Sequence, residues 1–90
     1  MPHVEFTPHL RRFFPGLAPV ELDAPDVAAL VRAIDRVHPG LAGYLVEDDG
    51  ALRRHVNIFV DEAPVRDRVA LTDALRPDSR VHVLQALSGG

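Results

Sequence analysis

The chain has no cysteine, no tryptophan and no lysine. Without cysteine there is no disulfide, no thiol nucleophile and no thiolate metal site. That usage fits a reducing cytoplasm, which is the expected location. Without lysine, all ten basic residues are arginine, so the chain offers no side-chain amine through which copies of it could be linked. No apolar run approaches the roughly 20 residues of a membrane span, and the N-terminus carries no signal-peptide pattern. Neither a membrane role nor a nucleic-acid role is expected, the latter because the net charge is −3 and offers phosphates no electrostatic footing. A phosphate-binding glycine loop is missing: Gly40 and Gly43 are turn glycines with no following Lys. Ser88 has no His or Asp in triad-like positions, and the carboxylates form no catalytic pair. The chain therefore reads as a substrate for other enzymes, without an active site of its own.

What is present is one domain of 90 residues, 47% hydrophobic and 26% charged, large enough to form a single core without staples. His3–Thr7 alternates, with Val4 and Phe6 on one face, and reads as a strand. His9–Pro19, with Phe13, Phe14 and a Pro15-Gly16 turn signal, reads as a long hairpin connection to a short strand at Val20–Asp23. Val27, Leu30, Val31, Ile34 and Val37 or His38 recur at helical spacing. Asp23 is the expected N-cap, with Asp26 completing a box-like pair, and Pro39-Gly40 the stop. Leu41–Val46 is expected to make a short helical turn and Glu47–Gly50 a turn. His55–Asp61 is the next strand, with Val56, Ile58 and Val60 inward and Phe59 outward. A turn follows at Asp61–Pro64, a helical turn at Leu71–Leu75, a further turn at Pro77–Ser79, and a last strand at Arg80–Ala86. The order strand, strand, helix, strand, strand predicts an α+β fold. One main helix covers one face of a mixed sheet of four to five strands.

Phe59 and Leu84 fall on the face away from the helix and are the expected partner-binding residues. The plainer alternative is that the Arg11–Pro19 loop covers them; Phe13 and Phe14 are either that cover or part of the same patch. His3, His55 and His82 share that outer face. Lacking a cysteine or a regular ligand spacing, they read as solvated surface histidines, and no metal is expected. Asp48, Asp49, Asp61 and Glu62 read as solvated turn acids. In a domain that works by docking on another protein they would also steer it toward a basic partner.

The chain closes on Ser88-Gly89-Gly90. Glycine packs nothing at a strand end and loses the most backbone entropy when ordered. A di-glycine tail without Cβ atoms can instead thread a narrow active site and present its carboxylate there. Residues 1–87 then form the domain and 88–90 the tail.

Pro39-Gly40-Leu41, the segment Leu52-Arg53-Arg54-His55-Val56-Asn57-Ile58-Phe59-Val60, and Val81 through Leu87-Ser88-Gly89-Gly90 together resemble the MoaD/ThiS family of ubiquitin-like sulfur carriers. The fold implied is the β-grasp. The chemistry implied is adenylation of the Gly90 carboxylate by an E1-like adenylyltransferase that uses ATP. Displacement of AMP by a persulfide donor then leaves a thiocarboxylate that passes sulfur to an acceptor synthase subunit. On this resemblance Gly90 and Gly89 are the reacting end, and Leu87 and Ser88, which join it to the last strand, are expected to bind the partner along with Phe59 and Leu84. The chain itself binds no cofactor and is no enzyme. The "HPGL…LRRHVNIFV" run is most like the molybdopterin-synthase small subunit. The run Leu84-Gln85-Ala86-Leu87, where relatives often carry a hydrophobic-Pro pair, departs from it. Two other readings stay open: a ubiquitin-type modifier joined to targets through Gly90, and a non-catalytic β-grasp interaction module.

Overall fold

The computed structural model describes residues 1–85. The expected helix is α1, Val27–Val37. Its stripe of Val27, Leu30, Val31 and Ile34 is buried, joined by Ala33, while Val37 lies exposed past the end of the contact. The N-cap is Asp26 and not Asp23: the Asp26 side chain accepts from the Ala29 amide at 2.8 Å. The reason is tertiary. The Val27 and Ala28 amides donate to the Asp73 and Leu71 carbonyls at 3.0 and 2.9 Å, so the orphan donors of the first turn are met only if the helix starts there. Pro25 is thereby left outside the helix, its carbonyl accepting from the Leu75 amide.

At the other end Gly40 takes φ +96°, a conformation that a side chain would resist. The Asp35 carboxylate accepts from the Gly40 and Ala42 amides, turning the chain into α2, Ala42–Leu45, where a short helical turn was expected.

Five strands form one sheet in the order β2-β1-β5-β3-β4. They are β1 His3–Phe6, β2 Val20–Glu21, β3 Val56–Val60, β4 Ala63–Pro64 and β5 Arg80–Gln85. β5 is central, parallel to β1 and antiparallel to β3. Val4, Val56, Ile58, Val81 and Val83 face the helix and are buried with Leu10, Leu41 and Leu45.

The 61–64 segment, expected to be wholly a turn, divides. Asp61 and Glu62 take positive φ, and Ala63–Pro64 pairs with β3 as an edge strand, a position where proline's missing donor is harmless. Leu71–Leu75 is not helical. Leu71 is buried at φ +55°, and Ala74 bridges to Asp26. A 3-10 helix at Pro8–Arg12 opens the connection between β1 and β2. Among the described residues no helix is long and apolar enough to cross a membrane.

Candidate functional site

β5 positions everything that matters for a C-terminal function, because both of its edges are paired. Its last described residue is fixed by Thr7, just beyond β1. The Thr7 amide and hydroxyl both donate to the Val83 carbonyl, at 2.9 and 3.0 Å, and the hydroxyl accepts from the Gln85 amide at 3.2 Å. On the opposite side Val56 is in register with Gln85. Gln85 is thus held between two anchored neighbours. Thr7→Val keeps the shape and removes both hydroxyl bonds. It is expected to cost about 1 kcal/mol and to speed hydrogen exchange at the Gln85 amide without changing that of Ile58. Leu87, Ser88, Gly89 and Gly90 lie outside the described residues.

The face away from α1 is built in cross-strand rows. Phe59 stands opposite His82 on β5, and His82 opposite Glu5 on β1; Leu84 stands opposite Asn57. Phe59 is half-buried and Leu84 is 41% exposed. They sit on a diagonal, within reach of each other for an aromatic side chain. The face is mixed: Phe59, Leu84 and Pro64, which stands opposite Phe59 on β4, lie among His3, Glu5, Asn57, Arg80 and His82.

Phe13 and Phe14 do not cover it. They turn to α2 instead, each with its ring centroid 5.2 Å from that of Tyr44, and His9 meets Phe13 edge-on. Phe14 also packs on the core, whereas Phe13 and Tyr44 stay exposed.

The three outer histidines do not converge. His3 and His82 both approach the same oxygen of Glu5, at 3.5 and 3.8 Å, while His55 lies in the exposed turn before β3. Among the described residues no group of three His, Cys, Asp or Glu side chains could hold a metal.

The ThiS family model matches residues 4–90. The chain belongs to the ThiS family. Its fold is that of CysO in the BexX/CysO complex of Amycolatopsis orientalis, with a TM-score of 0.86 at 24% identity over all of both chains. CysO of Mycobacterium tuberculosis gives 0.83 at 25% identity, over 97% of this chain and 100% of that one. SAMP1 of Haloferax volcanii gives 0.79 at 23% identity, over 99% and 98%. No curated protein matches the chain by sequence. These likenesses fix the architecture as the β-grasp of ubiquitin-like sulfur carriers and modifiers.

In this ThiS-family chain three aspartates hold loops, among them Asp61, which the sequence presents as a solvated turn acid. The Asp61 carboxylate accepts from the Arg80 amide at 2.9 Å, which keeps its pKa below the usual carboxylate value. Asp67 is the strongest case. It accepts from the amides of Val69, Ala70 and Thr72 and, at 2.6 Å, from the Thr72 hydroxyl. Led by the Ala70 amide, these donors hold it at about 2, against an ordinary 3.8. Asp73 accepts from the Arg66 and Asp67 amides and is lowered as well. Together they shape the loop whose Leu71 and Asp73 carbonyls receive the start of α1.

A carboxylate whose folded pKa is depressed contributes fully above its unfolded value and loses that contribution as pH falls through the folded one. Asp67→Asn is therefore expected to melt below the wild type at pH 6. The gap should close as pH approaches about 2, which thermal melts across that range would show.

Proposed function

We propose that this ThiS-family protein is a sulfur carrier whose working group is the Gly90 carboxylate. Proteins of this type are carriers and not catalysts, so each chemical step is assigned to partners. An oxygen of the Gly90 carboxylate attacks the α-phosphorus of ATP on an E1-like adenylyltransferase. Pyrophosphate leaves, and the carboxylate becomes an acyl-adenylate. The terminal sulfur of a donor persulfide then attacks the acyl carbon and AMP departs, giving an acyl disulfide. A second thiol cleaves the S–S bond, releasing a thiocarboxylate on Gly90 and a disulfide on the donor side. That thiocarboxylate passes its sulfur to an acceptor enzyme in cofactor or metabolite biosynthesis, a molybdopterin-synthase-like pathway being one such setting. The chain has no cysteine, so all of the thiol chemistry belongs to the partners.

One observation carries the proposal. In a ThiS-family chain, the strand leading to Ser88-Gly89-Gly90 is the central one and is anchored on both edges up to Gln85. A rigid base and a side-chain-free end suit delivery of a carboxylate into a partner's narrow site. Phe59 and Leu84, open on the outer face, are the docking contacts proposed beside it.

The test is ATP–pyrophosphate exchange by the host's adenylyltransferases. Exchange that depends on this chain supports the proposal, and none with any of them contradicts it. A second reading is favoured by the fold shared with SAMP1, a small archaeal modifier protein. Here the same activated Gly90 is joined to a target lysine. Isopeptide-linked species in cells would identify that outcome. Growth of such species through the chain's own lysines is impossible, since it has none.

A further inference from the structure

The acids and bases of this chain are not evenly spread along β5. Its starting end, at Ser79 and Arg80, is the acidic one. Asp61 binds the Arg80 amide there and also meets Arg76, which reaches Asp78 as well. Asp23 belongs to the same end, lining a hollow with Pro77.

The finishing end, at Gln85, carries more bases than acids, with Glu47 paired there to Arg53. β1 runs parallel to β5, with Phe6 beside Val83, so the 3-10 helix that follows β1 emerges at that end. Thr7, which holds the Gln85 amide, lines a hollow there together with Pro8, His9 and Arg12. β3 runs the other way, with Val56 beside Gln85, so Arg54 precedes it at the same end. Arg68 is fixed there too, donating to the Arg53 and Val56 carbonyls and to the Asn57 side chain at 2.8–3.0 Å. Arg12 and Arg54 are exposed and flank the end of β5 from its two sides. Asp49, a candidate for steering, is not part of this arrangement. Asp49 lies on the helix layer beside Val31 and Arg32.

From this separation of charge we infer that Arg12 and Arg54 form a basic collar that docks against an acidic rim around the tail-accepting site of the activating enzyme. The polarity is the reverse of the one that the turn acids implied. An acidic protein with a basic working end approaches such a rim with the correct end first. Its acidic far end is repelled by the same rim, so wrong encounters are suppressed. Screening by salt follows, since both guanidinium groups are exposed. The inference rests on the carrier reading, in which residues beyond Gln85 enter a partner.

The experiment is steady-state ATP–pyrophosphate exchange with the host adenylyltransferase that accepts the wild-type chain, at low and at high salt. R12E/R54E is expected to raise KM for the carrier about tenfold at low salt with kcat unchanged. It should also abolish most of the rise in KM that salt causes in the wild type. R12K/R54K should behave as wild type. D23K/D78K, which alters charge at the far end, should change KM by less than about twofold. Thermal melts show whether each variant is folded, and R12Q/R54Q, with an intermediate KM expected, replaces the reversal if it is not. Equal KM values for R12E/R54E and wild type overturn the collar while leaving the carrier reading intact, and so does an equal shift in D23K/D78K. A wild-type chain that supports no exchange overturns both.

Discussion

Deletion of Gly89 and Gly90 is expected to lower ATP-dependent activation by at least about 10³-fold. The deletion moves the terminal carboxylate back by two residues, about 7 Å. In-line attack on phosphorus tolerates no such shift, since a misplacement of about 1 Å alone can cost about 10²-fold. It also places the Ser88 side chain beside the reacting carbon, where Gly90 has none. The fold does not depend on these residues: β5 is paired through Gln85, and Thr7 fixes its end. The variant should therefore melt with the wild type while losing pyrophosphate exchange. Loss of both would point to a folding defect, and loss of neither would remove Gly90 from the mechanism.

Ile58→Ala is expected to destabilise the domain by about 3 kcal/mol. Ile58 is 1% exposed in the middle of β3, opposite Val83 and beneath the helix layer. Truncation removes buried methyl groups and leaves a cavity that paired strands on both sides cannot close. In a domain of this size that corresponds to a fall in Tm of about 15 °C. Leu84→Ala, on the other face of the same sheet, is expected to stay within about 0.5 kcal/mol of the wild type. The pair separates the two faces: the inner one holds the fold, and the outer one is available for docking. Calorimetry of the two variants decides it. Similar losses in both would mean that the outer face carries core packing.

The features readable in advance were those that a short window of sequence encodes. Val56, Ile58 and Val60 alternate with Asn57 and Phe59, and that period alone places Phe59 outward, where it is found. The spacing of Val27, Leu30, Val31 and Ile34 does the same for the buried face of α1. The resemblance carried by the β3 run and the last strand adds the β-grasp arrangement, and the ThiS family match and the sheet order agree with it.

The errors lie where a residue answers to a distant one. Asp23 is a sound N-cap by local rules, but the carbonyls of Leu71 and Asp73 move the helix start to Asp26. Those same bonds, with the Asp67 and Asp73 side chains, draw Leu71–Leu75 out of a helix. Phe13 and Phe14 gave no local sign that Tyr44 was their partner. Thr7 looked like the last residue of a strand, and its grip on Val83 and Gln85 spans more than seventy residues of chain. The placement of Arg12 and Arg54 at one end of β5 needs the topology of the sheet, since forty-two positions separate them in sequence.

The central claim is that the Gly90 carboxylate becomes a thiocarboxylate. Intact mass spectrometry of the protein from its native host, isolated without added thiols, addresses it most directly when the mass change is located by fragmentation. The account predicts a fraction heavier by the difference between one sulfur and one oxygen atom, with that difference confined to Gly90. Repeated isolation with only the unmodified carboxylate, together with no adenylate on addition of ATP and the host's adenylyltransferases, would contradict it.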